Sequence, residues 1–184
     1  MKRALMGIPV LGIAALALAI MALADSPRIS RFAMARLEAQ IDGAFTLGPS
    51  SFDILGNTRG VYLPGYGAVF TTMVSPPTPI PTPFRELSLK DILEIHDRKL
   101  RMVPVLREKM RDAMFTMAES PALDSVQLNE QIVCGATMFY FKWEDTAGLP
   151  SQIVMQAEKG KLLDVKSGRI PRSQLDSVIK TQEL

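Results

Sequence analysis

Two segments of the chain carry apolar residues at the three- and four-residue spacing of a helix with one buried face. The first is residues 27–41. Asp25 or Ser26 can cap this helix, and Pro27 suits its first position because the missing N–H is not needed there. Gly43 can end it. The predicted buried face consists of Ile29, Phe32, Ala33, Leu37 and Ile41.

A longer helix is predicted from Ser88 to about Met117, with Ser88 as its cap and Asp91 in its first turn. Its apolar stripe starts with Leu89, Ile92, Leu93, His96, Leu100 and Val103. The stripe continues through Leu106, Met110, Ala113, Met114 and Met117. Pro104 lacks an N–H and clashes with the preceding turn, so we expect either a kink there or two abutting helices.

Three segments are typical of β-strands. Residues 59–74 predict two strands around a Pro64–Gly65 turn, because proline sets φ at the second turn position and glycine accepts a positive φ at the third. Residues 131–142 predict a central strand that is apolar on both faces and therefore covered on both sides. Residues 152–158 predict the returning strand. One face of the second strand is predicted to carry Ala68, Phe70, Thr72 and Val74.

The C-terminal part of the chain predicts short helices. Residues 161–167 form either a short helix ended by Gly168, which we prefer, or another hairpin strand. Residues 171–180 predict a final helix. The order of elements therefore indicates an α+β domain with a mostly antiparallel sheet, one long helix that Pro104 can kink, and short C-terminal helices.

The segment 75–84 contains five prolines in ten residues. Such a segment neither joins a sheet ladder nor continues a helix, so we expect an extended connector over the surface. The alternative is a ligand for a groove on a partner protein.

Residues 1–24 have the pattern of a cleaved signal peptide. Lys2 and Arg3 precede an apolar run, and Ala22 and Ala24 provide the small residues of a cleavage site. The alternative is a retained N-terminal membrane anchor, because twenty apolar residues can span a bilayer. We expect export to the periplasm or the extracellular space. The remaining residues 25–184 are expected to form one domain without a membrane span.

Composition narrows the possible chemistry. The chain of 184 residues has 21 basic and 19 acidic side chains, and two of the basic ones lie in residues 1–24, so the exported part is balanced. This balance gives no argument for a nucleic-acid partner. One Cys and one His exclude an internal disulfide, a Cys-rich zinc site and a paired-His metal site. No cofactor is predicted.

The residues 143–146 form the first candidate ligand site. Glu144 and Asp145 could bind a cation with Thr146 and backbone carbonyls, or act as an acid/base pair beside Trp143. Adjacent carboxylates on a strand point to opposite faces, which weakens the acid/base hypothesis. The alternative is a solvated turn that holds the loop.

Two further candidates rest on single residues. His96 is the one side chain whose ordinary pKa lies near neutrality, and it could activate Cys134, although Cys134 on a core strand is more typical of a small apolar residue. Tyr66 lies in a Gly65-Tyr-Gly67 sequence. A strand rather than a helix follows this sequence, which favours a tight turn over a nucleotide-binding loop.

Residues 63–70 and 141–156 together resemble a group of uncharacterised exported bacterial proteins, which share a signal peptide, a Gly-Tyr-Gly hairpin, a charged long helix and a Trp-Glu-Asp-Thr-x-Gly-Leu-Pro loop. The resemblance implies export and directs attention to the two motifs. The group has no established activity, so the resemblance assigns no catalytic residue.

Two functions follow as hypotheses. The first is a non-catalytic exported protein that binds a protein, a peptide or an envelope component. The second is an enzyme or cation-binding protein that uses Glu144 and Asp145, with or without His96. The second requires the carboxylates to converge with another polar group in a cleft.

Overall fold

A computed structural model of the protein describes residues 29–48, 50–78 and 87–184. The predicted signal peptide, the caps at Asp25 and Ser26, and most of the proline-rich connector lie outside these residues. The helices are α1 (Arg31–Thr46), α2 (Leu89–Glu119), α3 (Lys159–Lys166) and α4 (Leu175–Val178). Short 3₁₀ turns lie at Pro121–Leu123 and Arg172–Gln174. The strands are β1 (Asp53–Ile54), β2 (Arg59–Leu63), β3 (Gly67–Ser75), β4 (Gln131–Met138), β5 (Gln152–Glu158) and β6 (Lys180–Glu183).

The six strands form one mixed sheet in the order β1-β3-β4-β5-β6, and β2 also pairs with β3. Only β3 and β4 run parallel, because α2 carries the chain back between them; the other pairs are antiparallel. The α+β class, the mostly antiparallel sheet, the single long helix and the short C-terminal helices are confirmed. No helix among the described residues is long and apolar enough to cross a membrane.

The core lies on one face of the sheet. The predicted β3 face of Ala68, Phe70, Thr72 and Val74 is the buried one, and its apolar side chains pack in one cluster with the inward side chains of β4 and β5 and the apolar faces of α1 and α2. The opposite face, called the outward face below, has exposed side chains on β2 and β3, and its central Val133 lies outside that cluster. The centre of β4 is nevertheless buried on both faces, with Val133 on this face and Cys134 on the core side.

Helix α1 buries Leu37 and Ile41 as predicted but leaves Phe32 outside. It begins after Ser30, whose hydroxyl accepts a hydrogen bond from the Ala33 N–H at 3.1 Å, and it continues through Gly43. Phe32 is 74% exposed. The buried face follows a 3-4 spacing that starts later, at Met34, Leu37, Glu38, Ile41 and Phe45.

Helix α2 is one element that passes through the exposed Pro104, so the expectation of two abutting helices is wrong. Its capping box between Ser88 and Asp91 is present, as is the predicted stripe from Val103 onward. The N-terminal half differs, since Ile95 and Lys99 are buried there instead of the predicted leucines. The loop after β4 covers the Lys99 face and also reaches His96 and Leu100, whereas Leu89 and Leu93 remain exposed.

Strand β4 is shorter than predicted. The Phe139 N–H still donates to the Val74 oxygen at 2.9 Å, but β3 ends at Ser75 and β5 begins at Gln152, so none of the described strands pairs with residues 140–142. The expected final helix over 171–180 is also shorter. It reduces to a 3₁₀ turn and α4, and β6 follows as the edge strand.

Candidate functional site

The two predicted motifs lie at opposite ends of the sheet. Tyr66 is in the turn before β3, and Trp143 to Thr146 follow the end of β4. Because β3 and β4 are parallel and paired from Gly67↔Gln131 to Val74↔Met138, about 23 Å of strand separates the two ends at ~3.3 Å per residue. Tyr66 therefore does not share a cleft with the Glu144 loop.

A buried ion pair forms the centre of the loop. The Lys99 ammonium donates to Glu144 Oε2, and the two side chains are only 1% and 2% exposed. The same ammonium lies 5.0 Å from the centre of the Tyr140 ring, within cation–π range. Removing two charges from water is costly, so loss of either partner would leave the other as an uncompensated buried charge. Glu144 Oε1 is buried and has no hydrogen-bond partner among the described residues.

Tyr140 connects this pair to the far side of the loop. Its hydroxyl donates to the Pro150 carbonyl at 2.7 Å. Burial raises the pKa of Tyr140 to about 12, and the charge of Glu144 acts in the same direction. Tyr140 is therefore a neutral hydrogen-bond donor at physiological pH and fixes the loop where β5 begins.

His96 and Asp145 meet through the backbone. His96 Nδ1 lies 3.0 Å from the Asp145 carbonyl oxygen, a bond in which the ring nitrogen must be the donor. The Asp145 carboxylate instead accepts from the Ala147 N–H at 2.9 Å, and the Thr146 carbonyl accepts from Leu149 at 3.0 Å. The predicted turn is present, and within it the side chains of Glu144 and Asp145 point to different partners.

Trp143 belongs to a row of three aromatic rings. It stacks on Phe141, with 5.5 Å between ring centres and 10° between planes. Phe141 meets the edge of Phe139 at 5.1 Å and 83°. None of the three rings lies in the core cluster, so they form a separate aromatic row beyond the end of β4.

Close approach of two strands explains the Gly65-Tyr66-Gly67 sequence. Gly65 has φ 78° and Gly67 φ 137°, both positive. A Cβ on Gly67 would stand 1.9 Å from the Gln131 carbonyl oxygen, while the Gln131 N–H donates to the Tyr66 oxygen at 2.7 Å. Glycine is required here so that β3 and β4 can start side by side.

Sequence reasoning missed Glu130, which joins this turn to β4. Its buried carboxylate accepts hydrogen bonds from the Tyr62 hydroxyl at 3.1 Å, the Gly65 N–H at 2.8 Å and the Gln127 N–H at 2.8 Å. A lone Glu before an apolar strand gives no periodic signal.

Lys159, the first residue of α3, was also not predicted from the sequence pattern. Its buried ammonium donates to the carbonyls of Leu123 and Val126. Burial lowers the pKa of Lys159, while Asp124 and Glu130 act in the opposite direction.

Cys134 and His96 lie on different parts of the fold. Cys134 is buried in the middle of β4, and its burial raises the pKa of the thiol to about 12, so the thiolate needed for nucleophilic chemistry is strongly disfavoured. His96 bonds the loop beyond the end of that strand. Within the described parts of the chain, no three His, Cys, Asp or Glu side chains are grouped to hold a metal ion.

The chain matches no protein-family model, and none of the curated proteins or solved structures is significantly similar to it. The resemblance to the group of exported proteins therefore stays a prediction.

Proposed function

We propose that the protein is exported and acts as a non-catalytic binding protein of the cell envelope, with the outward face of its sheet as the surface for a protein partner. Export is supported by the sequence of residues 1–24.

The composition of the outward face is the observation that carries this proposal. Exposed Val61, Leu63 and Met73 lie on it, and threonine and glutamine side chains surround them. Arg59 and Lys180 occupy its two borders. A mixed apolar and amide surface with charges at the border is typical of a non-obligate protein interface.

The geometry of the loop supports a binding role over a catalytic one. Glu144 is paired to Lys99 out of reach of solvent, and the Asp145 carboxylate caps its own turn. A group that transfers protons must come within hydrogen-bond reach of a substrate. In this conformation Glu144 serves to hold the loop on α2.

In-cell photo-crosslinking of the full-length chain tests the proposal. A photoreactive residue replaces Thr71, which is exposed on the outward face, and a control replaces Arg172, which is exposed on the C-terminal 3₁₀ turn. We expect a defined protein adduct from position 71 only, which Met73→Lys removes and Leu128→Lys, an exposed leucine elsewhere, leaves intact. Identical adducts from both positions would contradict the assigned surface. N-terminal sequencing of the fractionated protein checks export independently.

The alternative of a cation-binding protein has one observation in its favour, the buried Oε1 of Glu144, which has no hydrogen-bond partner in the described parts of the chain. Calorimetry and thermal unfolding with Ca²⁺ and Mg²⁺ test it. Heat of binding that Glu144→Gln abolishes would favour the alternative, and no heat with no thermal shift would remove it.

A further inference from the structure

The N-terminal half of α2 carries an apolar seam that the described fold covers only in part. Its first half is open, while at the other end His96 bonds the Asp145 carbonyl and Leu100 lies close to Gly148. Leu89, Leu93 and Leu100 are 81%, 59% and 37% exposed. With His96 they follow a 4-3-4 spacing, the alternation of core positions in a coiled coil. We call these four residues the α2 seam. Isolated exposed leucines need no explanation, but a regular row of them on one helix does.

We infer that a second copy of this chain covers the α2 seam, with the two helices antiparallel. In an antiparallel coiled coil, each a position of the heptad packs against a d position of the partner helix. One register then places Leu89 against the partner's Leu100 and Leu93 against the partner's His96. Every residue of the seam is used in that register, and the twofold axis repeats both layers.

Charges beside the seam select this register. Lys90 and Asp97 are both exposed and occupy equivalent flanking positions, one heptad apart. The register above brings Lys90 next to the partner's Asp97, twice by symmetry. A shift by one heptad, which would pair only Leu89 with the partner's Leu93, instead brings Lys90 against the partner's Lys90. The first arrangement forms two contacts between opposite charges, and the second places two lysines of like charge together.

The size of the seam sets the strength of the association. A standard interface buries roughly 800 Å² per partner, and four side chains from each helix supply less than that. We therefore expect a weak, reversible dimer that covalent capture detects better than gel filtration. This dimer uses the helix layer and leaves the outward sheet face free, so it can fail or succeed independently of the proposed function.

Cysteine cross-linking on the full-length chain tests the inference. Leu89→Cys and Leu100→Cys chains with different tags are produced together and treated with a short bismaleimide. The native Cys134 is buried with a raised pKa, so the unsubstituted chain serves as the background. We expect a mixed cross-linked dimer several-fold stronger than either self-linked dimer. A dominant Leu89→Cys self-link, an adduct with a different protein, or no dimer above background would overturn the antiparallel pair.

Charge exchange checks the register in the same assay. Lys90→Glu places two acidic groups together and should reduce the mixed dimer several-fold, while Lys90→Glu with Asp97→Lys should restore it. A Lys90→Glu chain that cross-links like the parent, or a double variant that stays weak, would overturn the assigned contacts.

Discussion

Loss of the Lys99 ammonium should destabilise the protein far more than loss of an ordinary lysine. Lys99→Met keeps an unbranched side chain of similar length and leaves the Glu144 carboxylate buried without its ion-pair partner. Glu144 Oε1 already lacks a hydrogen bond to any described residue. Breaking a buried pair by removing one partner costs about 3–5 kcal/mol. For a chain of this size that corresponds to a fall of ~6–20 °C in Tm, at roughly 2–4 °C per kcal/mol.

The matched control is Lys90→Met on the same helix, where the side chain is exposed and lies 3.7 Å from the exposed Glu94 carboxylate. A surface ion pair of this kind contributes about 0–1 kcal/mol, so this variant should unfold almost like the parent. The double variant Lys99→Met with Glu144→Gln removes both charges. Its loss should be smaller than the sum of the two single losses, because neither partner is then left as an uncompensated ion.

Urea unfolding followed by tryptophan fluorescence is a suitable assay, because Trp143 is the only tryptophan and precedes Glu144 in sequence. Far-UV circular dichroism on the same samples reports the whole fold, and non-coincident transitions would show that the loop opens separately. A Lys99→Met loss equal to that of Lys90→Met would refute the buried pair. Strictly additive losses in the double variant would refute the coupling between Lys99 and Glu144.

Three further predictions concern the turn, the buried carboxylate and the buried thiol. Gly67→Ala should prevent or strongly weaken folding, because its Cβ would lie 1.9 Å from a β4 carbonyl oxygen. Gly65→Ala, whose Cβ would have nothing within 4 Å, should cost only the ~1–2 kcal/mol of a left-handed residue. Thermal unfolding compares the two variants. Glu130→Ala should lose more stability than Glu130→Gln, which keeps one acceptor oxygen for the three donors; equal losses in denaturant titrations would argue against these hydrogen bonds. Burial raises the pKa of Cys134 from 9.0 to about 12 in the fold, so the unfolded chain loses the thiol proton first as the pH rises. The free energy of unfolding should therefore fall from pH 9 upward, by up to about 1.4 kcal/mol per pH unit. Unfolding titrations between pH 8 and 11 should show a smaller slope for Cys134→Ala.

Periodicity located the elements more reliably than their faces. The hairpin around Gly65 and the long helix both follow from local turn chemistry and capping, which neighbouring residues determine. The exposure of Phe32 on α1 does not, because two overlapping apolar spacings exist in that segment and tertiary packing selects one. β6 has no apolar residue, so its formation depends on antiparallel pairing with β5.

The candidate loop shows the same division between local and long-range information. The turn around Asp145 follows from its composition, and the structure contains it. The partner of Glu144 lies 45 positions earlier in the chain, on a helix face where a lysine counts as polar in any pattern. Glu130 and Lys159 were missed for the same reason, since their burial depends on backbone groups that meet only in the folded chain.

The parallel pairing of β3 with β4 has a consequence for the order of folding. Its partners, from Gly67 with Gln131 onward, lie 64 positions apart, so closing this central ladder requires a long loop closure. During synthesis the β2–β3 hairpin and α2 are complete before β4 exists. Until β4 arrives, the long strand β3 presents an unpaired edge beside an uncovered apolar surface, which is a template for aggregation. A chain that stops after α2 should therefore aggregate, and the interval before β4 is made is the period in which the protein most needs a holding chaperone.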